Sequence, residues 1–225
     1  MLSIILQGVL GRISKLGEAF SSEVLFCSFM VTADDELVDT LYDAPTNLKA
    51  KRSVNGIAIE GLTERTIDSM HVADDVCSVV AEKRRSSVHI RSHSVSFIKI
   101  YIENFVLKTQ RTVFLSFVDL GCPKTMDISE TTRAADLRRA QRVQRSLSSL
   151  SDTIIGLKRF QVAPPTSSML TFVLQDFWKS ESLIQMLFWI SNVSGDLNDC
   201  IKSAEFAASC RLRTIICRAV FLTCL

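Results

Sequence analysis

Two uninterrupted apolar runs constrain this chain most. Residues 24–31 (VLFCSFMV) and 112–118 (TVFLSFV) show no polar alternation. Each is therefore predicted to be a strand buried on both faces, as in a sheet covered by helices. Residues 183–190 (LIQMLFWI) read the same way, and residues 94–102 are β-rich with Lys99 as their one charge. Helical patterns separate these runs. Residues 66–81 carry Ile67, Met70, Val72, Val76, Val79 and Val80 after a Thr/Glu start. Strands alternating with helices imply a layered α/β architecture.

The clearest helix is predicted over residues 131–157. Its apolar positions Ala134, Leu137, Ala140, Val143, Leu147, Leu150, Ile154 and Leu157 alternate steps of three and four, winding one stripe along one face. Asp127 or Ser129 can cap its start and Gly156 stands near its end. Pro164-Pro165 then forces a loop. Shorter helices fit residues 168–176 and, with Asp196 or Asn198 as cap, 199–211. Arg138, Arg142 and Arg145 fall at i, i+4 and i+7 of the long helix, with Arg133 and Arg139 nearby and Lys158-Arg159 past its end. Such a face is either simply solvated or suited to an acidic surface. The serines of residues 146–151 read as helix filler, and Asp152 as solvated.

Composition narrows the partners. With 225 residues and 47% apolar content, the chain fits one domain with a substantial core. Lys+Arg 26 against Asp+Glu 24 is too balanced to demand a polyanion. The basic residues are not interleaved with aromatics, and Tyr42 and Tyr101 lie far from them, so nucleic acid is a poor partner. The seven cysteines form no C-x-x-C pair, which points to reduced thiols in a cytoplasmic protein. Residues 1–10 lack the basic start and cleavage site of a signal peptide. The apolar run 214–225 contains Arg218 and is shorter than the ~20 residues that span a bilayer, so no membrane partner is expected. His71, His89 and His93 have no metal-ligand spacing and read as surface or turn histidines.

One feature bears on chemistry. Phosphate-loop NTPases place an Asp at the end of a strand, where it holds water-coordinated magnesium, and a Gly amide follows that approaches the γ-phosphate. Asp119 and Gly121 in FVDLG fit that arrangement, although an Asp at a strand end is more often just a turn former. Other segments agree. SSVHIRSHS contains Arg91, Ser92 and His93; RVQRSLSSLSDTI runs from Arg142 to Ile154; SMLTFVLQD ends at Asp176. Upstream stand GVLGR, from Gly8, and EVLFCSFMVTADDELVDTLYD, from Glu23; downstream stand Ile190-Ser191 and AEFAASCR.

Taken in their order along the chain, these segments resemble a kinesin motor domain. They are similar, respectively, to its switch II D-L-A-G-S-E, its switch I N-x-x-S-S-R-S-H, its N-I-N-K-S-L-S-A-L-G-D-V-I helix and its Y-R-D-S-K-L-T-x-L-L-Q-D loop-helix. The outer segments are similar to G-I-I-P-R, V-x-x-S-Y-L-E-I-Y-N-E-x-x-x-D-L-L, N-I-S-P and L-R-Y-A-N-R-A. The resemblance implies a three-layer, kinesin-type P-loop NTPase-like α/β fold with a central mixed sheet flanked by helices. Residues 1–213 would be a partial motor domain, incomplete at its N-terminal end, and 214–225 a short apolar tail. It also implies ATP with Mg2+ as cofactors, microtubules (tubulin) as partner and a cytoplasmic, cytoskeletal location. Arg91 and Asp119 would be catalytic, Ser92 and Gly121 nucleotide-binding, and Arg138, Arg142 and Arg145 the microtubule contact.

The departures shape the functional expectation. None of the eight glycines is followed by Lys, so G-x-x-x-x-G-K-[ST] does not occur in these residues. The family's magnesium-linked second switch I Ser falls on Ile90, its switch II Gly on Cys122 unless Gly121 serves, and its closing Glu on Lys124, where Arg91 would meet a like charge. Two family cations fall on Thr166 and Met169. In the family the strand before the phosphate loop lies between those matching residues 183–190 and 112–118, so a gap in the sheet and an aggregation-prone edge are expected. Three functions follow: a microtubule motor ATPase with impaired catalysis, a non-catalytic microtubule-binding or regulatory module, or an unrelated α/β interaction domain.

Overall fold

The computed structural model describes residues 2–43, 48–54, 56–85, 92–121, 134–158, 167–177, 184–190, 197–209 and 218–223. The chain divides into two compact units: Met1–Ser53 with Ala58–Gly121, and Val54–Ile57 with Cys122–Leu225.

The first unit is built on one antiparallel sheet. Its long strands are β1 (Phe20–Val31), β6 (His93–Asn104) and β7 (Thr109–Asp119). Two short strands, β2 (Leu37–Asp39) and β5 (Glu64–Thr66), also pair with β1. The path runs β2-β1-β6-β7. β1 and β6 pair along their whole length, from Phe20 opposite Asn104 to Val31 opposite His93. In β1 the uninterrupted apolar run does what its pattern predicts, with residues 26–31 all buried. Ser28 and Ser96, which face each other across the two strands, satisfy one another through a 2.9 Å hydroxyl bond. Cys27 is buried beside them. Burial first, then Glu64, pushes its thiol up to about 12, so it is an inert core thiol.

Two helices close one face of this sheet. Leu6 of α1 (Leu2–Ile13) and Ala73, Val76 and Val80 of α2 (Met70–Arg85) pack with Val24, Phe26, Ile67, Ile98 and Ile100. Ser3 Oγ and Gln7 Nε2 both donate to Asp74 Oδ1, at 2.8 and 3.2 Å, joining the helices at their surface. The helix expected over 66–81 begins and ends later than its pattern suggested. Thr66 pairs with Leu25 in the sheet, and Ser69 Oγ accepts from Val72 N, capping the helix there. Ile67 is buried in the core without being helical. The helix then continues through Lys83, Arg84 and Arg85, cations favoured at a helix C-terminus.

β7 corrects the reading of residues 112–118 as buried on both faces. It ends the strand path, and Val113, Phe114 and Leu115 are exposed. Among the described residues it has a strand neighbour on one side only, so apolar character there is not matched by burial. The tight connection to β6 explains how the hairpin forms: Asn104 Oδ1 accepts from the amides of Val106 and Leu107, and Lys108 takes φ 49°.

The second unit is dominated by α3 (Ala134–Lys158). Next come α4 (Met169–Leu174), a 3-10 turn (Gln175–Phe177), β8 (Gln185–Ile190), α5 (Leu197–Ser209) and β9 (Arg218–Thr223). β8 and β9 pair in parallel, Gln185 opposite Arg218 through Ile190 opposite Thr223. The helix α3 continues past Gly156, whereas the proposed caps Asp127 and Ser129 lie outside the described residues. Ser168 caps α4, its Oγ accepting from Thr171 N at 3.2 Å. Lys49–Ser53 (β3) and Gly56–Glu60 (β4) pair as a small two-stranded sheet, most of it in the first unit, and Gly56 takes φ +115°. Within the second unit Asp176 accepts from Ile57 N, and a Cβ on Gly56 would collide with Asp176 Oδ2, so only glycine fits.

The buried face of α3 differs from the apolar stripe. Val143, Leu150 and Ile154 are buried, but Leu137 is exposed, and Ser146, Ser149 and Thr153 are buried with the aliphatic residues. The serines are thus not filler. Ser146 Oγ donates to Val143 O at 2.8 Å and Thr153 Oγ1 to Ser149 O at 2.9 Å, which removes the cost of burying them. Ser149 Oγ also bonds to Ser167 Oγ and, at 3.4 Å, to Thr171 Oγ1, fastening α3 to the start of α4. Asp152 is exposed, as its position suggested.

Candidate functional site

The β6–β7 register creates the site. Ser94 lies opposite Asp119, so the start of β6 and the end of β7 meet at one edge of the first unit. The last turn of α2 reaches the same place. Arg84 Nε lies 2.7 Å from Asp119 Oδ2, and Arg84 Nη1 donates to Ser92 O at 2.9 Å. One planar guanidinium therefore holds the carboxylate with one edge and the backbone before β6 with another. A second tie lies beside it: Gly121 N donates to His93 Nδ1 at 3.1 Å.

His93 is 1% exposed. Burial, reinforced by the Arg84 charge, lowers its pKa to about 4, so the imidazole is neutral and its Nδ1 accepts. This overturns the reading of His93 as a surface or turn histidine; His71 is exposed, and His89 lies outside the described residues. Of the four residues expected to handle nucleotide, the structure brings Ser92, Asp119 and Gly121 together, whereas Arg91 lies outside the described residues. Ile90, Cys122 and Lys124 also lie outside them. Sequence reasoning missed Arg84 altogether. A run of cations ending a helix just before the polar turn is the signal that could have found it.

A magnesium-bound nucleotide can be tested against these groups. Asp119 would be the carboxylate nearest the metal, yet one of its oxygens is engaged by a guanidinium. The Gly121 amide, the donor a terminal phosphate would need, is committed to His93. Among the described residues no group of three His, Cys, Asp or Glu side chains is arranged to hold a metal ion. In this arrangement the residues present do not fit the group.

The second candidate surface is on α3. Arg138, Arg142 and Arg145 are all exposed, as is Arg139. At about 100° per residue the first three lie within roughly 60° of one another; the buried Thr153, Ser146, Leu150, Val143 and Ile154 lie about 50–150° round from the middle of that strip, and the buried Ser149 lies in line with it. The helix therefore presents a cationic strip beside the side that it buries. Met169, where a family cation was expected, is the first residue of α4, and Thr166 lies outside the described residues. No helix among the described residues is long and apolar enough to cross a membrane.

Comparison with known proteins places these features in a family. Residues 1–212 match the family model described as the kinesin motor domain. The kinesin-like protein klp-3 of Caenorhabditis elegans is 26% identical over 192 residues, covering 80% of this chain and 31% of that protein. The C-terminal motor and motor homology domain of Kar3Vik1, fused to a synthetic heterodimeric coiled coil, superposes with TM-score 0.85 at 21% identity, covering 94% of this chain and 57% of the other. A KIF14 segment, solved with ADP in complex with a microtubule, gives TM-score 0.82 at 18% identity, covering 95% of this chain and 65% of that one. These neighbours show a kinesin-type α/β fold, and the chain spans about a third of the length of the worm relative. On the match that runs from residue 1 to residue 212, this chain belongs to the kinesin motor domain family.

Proposed function

We propose that this chain is the microtubule-facing part of a kinesin-type motor, binding the acidic tubulin surface through the exposed arginines of α3. The observation that carries the reading is the exposed cationic strip Arg138, Arg142 and Arg145 running beside the buried side of the same helix. A strip of fixed charge on a long, rigid helix attracts an acidic surface over distances comparable to the Debye length and sets the orientation of docking. The KIF14 neighbour, solved in complex with a microtubule, supports the same partner.

Kinesin motor domains as a family work with nucleotide and Mg2+, and ATP-driven movement along microtubules is the activity proposed for the protein to which this chain belongs. Within this chain catalysis is proposed to be impaired, because Asp119 and Gly121 are engaged by Arg84 and His93. The second reading, a non-catalytic microtubule-binding or regulatory module, is favoured by that same pair of ties.

Cosedimentation with microtubules tests the binding reading. The 225-residue chain is expected to pellet with microtubules at low salt and to be released as ionic strength rises. Arg142→Glu combined with Arg145→Glu is expected to weaken binding by roughly tenfold or more, from lost attraction plus like-charge repulsion. Unchanged binding in that variant would reject the α3 face. Microtubule-stimulated ATP turnover by the unmodified chain, abolished in Asp119→Ala, would reject the impairment.

A further inference from the structure

We propose that Arg84 is a resident cation for Asp119, latching the end of β7 to the start of β6 with the protein's own charge where a nucleotide switch would use a phosphate-bound metal. The inference goes beyond the microtubule reading and does not depend on it.

Three observations carry it. Arg84 bridges two partners from two different strands' ends, Asp119 at the end of β7 and the Ser92 carbonyl before β6, at 2.7 and 2.9 Å. Its side chain is only 22% exposed, against 51% for Asp119, so the cation is the more deeply seated member of the pair. The neighbouring tie between His93 and Gly121 closes the same gap through two buried residues. Ser92, Asp119 and Gly121 are the groups whose separation would have to change for a terminal phosphate to be sensed. Here they are cross-linked by side chains of the chain itself. A guanidinium supplies one positive charge and a directional fork, so it can hold a carboxylate and a carbonyl together without any ligand. Magnesium with its bound waters would have to compete with that guanidinium for the same carboxylate.

The latch is testable on the full 225-residue chain by hydrogen exchange and thermal melting, with MgCl2 alone and MgCl2 with ADP as probes. The unmodified chain is expected to melt at the same temperature with and without either probe. Arg84→Gln is expected to speed amide exchange at residues 92–97 and 115–121 by roughly threefold to tenfold, the range for losing a hydrogen-bonded, partly exposed ion pair. Asp119→Asn, which leaves the Arg84 bond to the Ser92 carbonyl, is expected to speed exchange less, and the double variant to exchange no faster than Arg84→Gln alone. Arg84→Lys, which keeps the charge but not the fork, is expected to fall between and provides the readout if the glutamine variant does not fold. Additive effects in the double variant would overturn the latch. So would a rise in the unmodified chain's melting temperature with MgCl2 and ADP matching that of Arg84→Gln. A failure of microtubule cosedimentation would leave these exchange patterns standing and reject only the α3 reading.

Discussion

His93 couples the stability of the first unit to pH. Its Nδ1 must stay unprotonated to accept from the Gly121 amide, and its surroundings hold the pKa at about 4, below the ordinary 6.5. On acidification the unfolded chain therefore takes up the proton before the folded one does. The stabilisation is fully present above pH 6.5 and is lost as pH falls towards about 4. A shift of that size corresponds to at most about 3 kcal/mol. Urea midpoints measured at about pH 7.5 and about pH 4.5 are expected to fall on acidification, and to fall less in His93→Gln, whose amide oxygen can still accept from Gly121. Equal acid sensitivity in both proteins would place the titrating group elsewhere. No histidine spacing in the sequence announces this behaviour. It arises because the first residue of β6 is paired with the buried end of β1 and lies against the Gly after β7.

Among the elements, α3 shows how a helical pattern can be right in type and partly wrong in face. The apolar repeat correctly indicates a long helix, yet the side that packs is centred on Val143, Ser146, Leu150 and Thr153. Hydroxyls bonded back to carbonyls three or four residues earlier occupy that side without leaving unsatisfied polar atoms. Leu150, 2% exposed, and Leu137, 41% exposed, were indistinguishable in the sequence pattern. Leu150→Ala is expected to cost about 2–5 kcal/mol and Leu137→Ala about 0.5 kcal/mol or less, apart from small propensity effects. Chemical denaturation of the two variants separates them, and equal losses would mean that α3 packs on a different side. The start of α2 carries the same lesson, because Thr66 is drawn into pairing with Leu25 and the helix has to begin after Ser69.

For the whole molecule the consequential feature is the outer side of β7. Val113, Phe114 and Leu115 are exposed on a strand that has one neighbour among the described residues, and a strand edge with apolar side chains is a template for pairing with another chain. The isolated chain is therefore expected to self-associate. Phe114→Lys, at a position 54% exposed, is expected to reduce light scattering at a given concentration while leaving the melting temperature nearly unchanged. A variant that scatters as strongly as the parent would assign the association to another surface. In the second unit, β9 falls within residues 214–225 and pairs in parallel with β8, so apolar residues near the end of the sequence form a strand there.

The amino-acid order alone determined the types of β1, β6, β7 and β8 and of the helices from α2 onward, the α/β class and the family, because these follow from periodicity and from motifs local in sequence; α1 and the strands β2 to β5 and β9 were not legible in it. It also determined which residues approach each other at the candidate site, as far as Asp119, Ser92 and Gly121 are concerned, since the motifs that carry them flank two adjoining strands. Only the tertiary structure decided that Arg84 and His93 engage those groups, that the serines of α3 are buried and that β7 is exposed. Each of these depends on strand register and on which elements become neighbours, and both are set by contacts between residues far apart in the chain, which no local pattern encodes.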